Sequence, residues 1–193
     1  MDRRRIIDDQ LYTHLVTFSV ERQRRLLDLD HPERIVLGIL NHQLEAFKAR
    51  CISIVLMPNH VHASIRLPAT GELSRFMHSW KRMSSFKIRN WYRGDAAGCF
   101  SEVDEGDRFR QAKYYSFEIY NEKKRREELG YMYQNPVRSG LVTQAIDWKW
   151  SSARWYAGGR TVGVPIQRER NPAFTAGAGQ CHVVPATCAL ATR

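Results

Sequence analysis

The order of strand-like and helix-like segments predicts an α+β fold: a ferredoxin-like or RNA-recognition-like antiparallel sheet with helices on one face. Three observations carry this. Residues 51–67 read as a β-hairpin, residues 31–49 and 72–92 read as helices on either side of it, and residues 11–20 read as a strand before the first helix. The chain of 193 residues, 43% of them hydrophobic, suits one domain with a real core.

The first strand, LYTHLVTFSV, is rich in β-branched and aromatic residues. The first helix opens near Asp30-His31-Pro32, where proline is tolerated in the first turn. In the hairpin, the apolar run Cys51–Met57 leads into Met57-Pro58-Asn59-His60, a tight turn with proline at its first central position. Val61, Ala63, Ile65 and Leu67 then alternate with His60, His62, Ser64 and Arg66. That period sends Val61 into the core and sets both histidines on one polar face of a strand expected to be central. The second helix places Leu73, Phe76, Met77, Trp80, Met83 and Ile88 at near-helical spacing. Residues 94–107 are Gly- and acid-rich and read as a surface loop. Asn121 caps a third helix expected to end at Asn135, because the residue before Pro136 avoids helical geometry. Periodicity fades beyond Tyr156, so residues 1–158 form the expected domain and 159–193 an extension, poorly ordered from about 167.

The formal charge is +10, from 30 Lys and Arg against 20 acidic residues. Basic blocks at 75–93 and 108–126 are interleaved with Trp80, Phe86, Trp91, Tyr92, Tyr114 and Tyr115. Cations beside flat rings suit the phosphates and unstacked bases of single-stranded nucleic acid, although the same runs also serve as solvated helix faces. Trp80 and Lys113 are candidate contacts on this ground. No apolar stretch is long enough to cross a membrane and the first ten residues carry no signal segment, so a cytoplasmic, nucleoid-associated location is expected. The four cysteines are scattered, without a C-x-x-C pair, and indicate neither zinc ribbon nor disulfide framework. The His60-x-His62 spacing fits two imidazoles on one cation, although on spacing alone such a pair is more often a solvated strand face.

Three stretches together, MPNHVHASIRLP (57–68), RFRQAKYYSFEIYNEKKRREELGYMYQNPVRSGLV (108–142) and WKWSSARWYAG (148–158), resemble the single-tyrosine HUH transposases and, among them, the REP-associated tyrosine transposase branch. The likeness spans roughly residues 11–158. It implies a metal-dependent enzyme that cuts and rejoins single-stranded DNA near hairpins through a 5′-phosphotyrosine link, acting as monomer or homodimer. It implies that His60 and His62 help hold Mg²⁺ or Mn²⁺. In the step Gln111-Ala-Lys-Tyr-Tyr-Ser it makes Tyr115 the attacking residue, with Tyr114 its nearest rival and Tyr131 and Tyr133 packing within the third helix. Mg²⁺ prefers oxygen ligands, so a third donor is expected. Glu118 is the candidate, lying on the Tyr115 side if its segment is helical and opposite if extended, with Asn121 and Glu122 behind it. Lys81 and Arg82 match a family segment near the DNA, and Arg138 follows the Asn-Pro step, so these are candidate phosphate contacts. The chain departs from the pattern at Arg110, Ser116 and Tyr133. Two other readings are a binding protein of the same fold without cleavage, and a structural zinc protein using His60, His62, Cys181, His182 and Cys188.

Overall fold

The computed structural model describes residues 10–96 and 114–168. Four strands, β1 (Thr13–Ser19), β2 (Arg50–Met57), β3 (His60–Arg66) and β4 (Tyr115–Ile119), form one sheet in the order β2-β3-β1-β4 with every neighbour antiparallel. The helices are α1 (Asp30–Ala46), α2 (Leu73–Arg93), α3 (Glu122–Arg138) and α4 (Ala153–Gly158). The fold is thus the expected α+β antiparallel sheet, with β3 an interior strand between β2 and β1.

The pleat sorts the sheet's side chains into two cores. Val16, Phe18, Ile54, Leu56, Val61, Ala63 and Ile65 pack with residues of α1 and α2, where the Trp80 ring meets Phe18 edge-on at 5.0 Å and its indole N–H donates to Val36 O at 3.1 Å. On the other face Leu15, Val55, Met57 and Ile119 pack with Met132 of α3. Two helices therefore share one face, as the helix–hairpin–helix order implies, and α3 lies over the opposite face, which is the face that carries both histidines.

The third helix starts where expected: the Asn121 side chain accepts from Lys124 N at 2.7 Å. Its end differs from the sequence expectation, because α3 runs through Pro136 to Arg138. Proline forfeits a single intrahelical donor, and here it sits in the last turn with its ring buried. Ser139 N still donates to Asn135 O, and Leu141 N closes on Pro136 O at 2.9 Å beyond Gly140, whose φ of +68° suits glycine.

The chain after residue 140 closes the β2 margin of the sheet. Leu56 N donates to Trp150 O, Trp148 Nε1 to Leu56 O, Tyr156 Oη to Ile52 O and Gln167 N to Cys51 O. Ser152 completes the row: its hydroxyl accepts from Ile54 N and its backbone N–H donates to Ile54 O. Val162, Val164 and Ile166 are buried in the larger core, so that core continues past the expected boundary at 158.

Candidate metal and tyrosine site

β1 and β3 pair so that Thr17 faces His62 and Ser19 faces His60, while β4 places Tyr115 opposite Thr17 on its other side. Residues directly opposite each other in antiparallel strands share a face, so one row across the sheet reads His62, Thr17, Tyr115. The rings of His60 and His62 stand nearly perpendicular with centroids 4.7 Å apart, and both are half-buried. Burial, which disfavours the charged imidazole, lowers the pKa of His60 and takes that of His62 down to about 3, with the neighbouring His60 adding to the latter. Both rings are neutral at pH 7 and carry a lone pair for a cation.

Around them lie polar partners. Thr17 Oγ1 is 2.7 Å from His62 Nδ1, Asn59 Oδ1 is 2.7 Å from His60 Nδ1, and Asn135 Nδ2 is 3.1 Å from His62 Nε2. Asn135 comes from α3, and its helix face identifies a second tyrosine. Met132 faces the sheet and Tyr133 turns toward Ser152 and Tyr156, donating or accepting at 3.0 Å from Ser152 Oγ. At 100° per residue Tyr131 is on the opposite flank of α3 from Tyr133, on the stripe that holds Asn135 one turn later. Its ring is 54% exposed, with the Arg138 guanidinium 4.8 Å from its centre. Tyr133 packs as expected, with burial raising its phenol pKa. Tyr131 does not pack. Tyr115 is 42% exposed at the start of β4.

Other expectations need correction. Glu118 belongs to an extended strand, in register with His14, and the alternation turns it to the face opposite Tyr115 and the histidines. It is not near enough in topology to complete their donor set. Trp80 is fully buried in the α1–α2 core and offers no ring to a base. Lys81 is 2% exposed, with its ammonium 5.4 Å from the Tyr114 ring, on the α2 side of the sheet. Arg82 and Arg138 are exposed. Lys113, Cys181, His182 and Cys188 lie outside the described residues. Among the described residues no group of three or more His, Cys, Asp and Glu is placed to hold a metal. The available set is two neutral imidazoles, with Asn135 presenting its Nδ2 to His62 and its Oδ1 as the one nearby amide oxygen, and it fits a divalent ion that takes its remaining oxygens from water and substrate phosphate.

Three residues of this site escape sequence reasoning. Thr17 is one of four polar residues in β1, with Thr13, His14 and Ser19, and gains meaning only from its neighbours across the sheet. Asn135 and Tyr131 carry a readable signal, the i, i+4 spacing in Tyr131-Met-Tyr-Gln-Asn135, which shares one helix face.

The chain matches a family model described as "Transposase IS200 like" over residues 8–126. Among solved structures, it is similar to one titled "Structure of the REP associates tyrosine transposase bound to a REP hairpin", with a TM-score of 0.63, 21% identity, and coverage of 90% of this chain and 96% of that one. A second, from Deinococcus radiodurans R1 and described as a transposase, gives a TM-score of 0.47 at 13% identity over 68% of this chain and 93% of that one. No curated protein matches the chain.

Proposed function

Because the chain belongs to the IS200-like transposase family, we propose that it is a metal-dependent strand transferase that cuts single-stranded DNA beside a hairpin through a phosphotyrosine intermediate. The hairpin partner is inferred from the solved relative, which is bound to a REP hairpin.

The observation that carries the reading is the hydrogen bond from Asn135 to His62, because it brings the exposed face of α3 against the histidine pair. His60 and His62 would hold Mg²⁺ or Mn²⁺, and Asn135 could join them only through Oδ1, its Nδ2 being the atom that meets His62. When bound, the ion supplies a Lewis acid that draws charge from the scissile phosphate. The chain's own residues do the rest. Tyr131, on the Asn135 stripe, presents its hydroxyl to phosphorus; the tyrosine oxygen bonds to phosphorus, the bond to the 3′ oxygen breaks, and that oxygen leaves as a 3′-hydroxyl after taking a proton. Arg138, beside the Tyr131 ring, neutralises a phosphate oxygen. Attack of a 3′-hydroxyl on the phosphotyrosine link reverses these bonds and joins strands.

Tyr115 is the second reading for the nucleophile, favoured by its place in the row with Thr17 and His62. Labelled hairpin DNA with a single-stranded 5′ flank, incubated with Mn²⁺ or EDTA, separates the two. A Mn²⁺-dependent protein–DNA adduct is expected from the wild type and from Tyr115→Phe, and none from Tyr131→Phe or His62→Ala. An adduct lost only in Tyr115→Phe moves the nucleophile to β4. Tight binding with no adduct in any protein supports a binding module without cleavage.

A further inference from the structure

We propose that Thr17 and the pair Gln23–Asn59 are positioning residues that fix the tautomers of His62 and His60, so that both rings keep their proton on Nδ1 and offer Nε2. The proposal deepens the transposase reading, on which its purpose rests.

The hydrogen bonds assign the direction of each contact. Asn59 Nδ2 donates to Gln23 Oε1 at 2.9 Å, which turns Asn59 Oδ1 toward His60 Nδ1 at 2.7 Å. A carbonyl oxygen only accepts, so His60 Nδ1 must carry the proton. On His62, Asn135 Nδ2 approaches Nε2 as a donor at 3.1 Å, so Nε2 holds the lone pair and Nδ1–H donates to Thr17 Oγ1 at 2.7 Å. Each histidine therefore spends its Nδ1 on a short bond within the protein. Neutral imidazole in water prefers the other tautomer, with its proton on Nε2, so this choice needs partners to impose it.

The scaffold around Gln23 is built at a conformational cost. Arg22 and Gln23 have φ of 54° and 56°, a left-handed pair that residues with a Cβ rarely adopt. The same segment is tied to the hairpin turn by Val20 N donating to Asn59 O and Leu27 N to Pro58 O, both at 2.8 Å. The strained pair thus delivers the Gln23 amide to a turn whose only polar side chain touches a site histidine. Thr17 has the complementary position, in the central strand between His62 and Tyr115.

The test uses the full chain, metal-free, with ¹⁵N-labelled histidine and long-range ¹H–¹⁵N correlation at a pH where both rings are neutral. Wild type is expected to show Nδ1–H on both rings. Thr17→Val moves His62 toward Nε2–H, and Thr17→Ser restores it. Asn59→Ala and Gln23→Ala move His60 and leave His62 unchanged. Mn²⁺ affinity, read by titration without DNA, falls roughly 10–100-fold in Thr17→Val and Asn59→Ala and recovers in Thr17→Ser. Wild-type rings protonated on Nε2, or tautomers unmoved by Thr17→Val and Asn59→Ala, overturn the proposal. If the tautomers and Mn²⁺ affinities behave as expected and no DNA adduct forms, the cleavage reading fails and the tautomer assignment stands.

Discussion

At the scale of single residues, burial of the histidines has a measurable consequence for stability. His60 and His62 have folded pKa values below the ordinary 6.5, so the unfolded chain binds more protons than the folded one as the medium becomes acid. Their contribution is present above 6.5 and is lost as pH falls from there toward about 3. The urea midpoint is expected to drop between neutral pH and pH near 4.5 more steeply in the wild type than in His62→Gln; equal slopes would mean His62 stays solvated. Glu33 acts with the opposite sign. It is 2% exposed near the start of α1, and burial raises its pKa to about 8 against the pull of Lys149. Its neutral form favours the fold below about 4.5, and that contribution is lost as pH rises through 8, so Glu33→Gln should flatten the decline between about 4.5 and 8. The histidine pair is legible in the sequence because a strand's period of two and a Pro-Asn turn fix its face locally. The tyrosine is harder: Tyr115 lies in the sheet row with Thr17 and His62, Tyr131 lies on the α3 stripe of Asn135, and that stripe meets His62 only through the packing of α3 on the sheet.

At the scale of elements, α3 carries the argument. Its cap is legible in Asn121, and its path across the histidine face is set by Met132 beneath and Tyr133 against Ser152. Asn121→Ala should cost about 1 kcal/mol in chemical denaturation, the usual loss of an N-cap. Because the cap is at the far end of α3 from Asn135, a small loss of stability with unchanged Mn²⁺ affinity is the expected pattern. A fall in affinity of the size produced by His62→Ala would instead show that the whole helix is held only at its start. The end of α3 was not legible, since a proline reads as a stop, whereas one in the last turn sacrifices a single donor. By contrast β4 does alternate in YSFEI, but five residues are too few to separate strand from helix, and its strand character is fixed by pairing with β1.

For the whole molecule, charge and the chain's final packed segment matter most. A net +10 predicts salt-sensitive DNA binding. Arg82→Ala and Arg138→Ala are each expected to reduce the log–log salt slope on single-stranded DNA by about 0.7, the value for one lost phosphate contact; an unchanged slope in either variant would return that arginine to the role of a solvated cation. Truncation after Gly158 removes three buried aliphatic side chains, Val162, Val164 and Ile166, at about 2 kcal/mol each, enough to unfold a domain of ordinary stability. Their burial was not legible because the alternation Val162, Val164, Ile166 is short and its intervening residues are Gly163 and Pro165, which read as loop. The sealing of β2 has a further effect on how copies of the chain can combine. Its outward N–H and C=O groups are already taken by Trp150, Ser152, Tyr156 and Gln167, whereas no described strand pairs with the outer side of β4. A sheet with one blocked margin cannot propagate: any strand exchange through β4 is self-terminating at two molecules, which protects a protein of this β content from fibrous polymerisation.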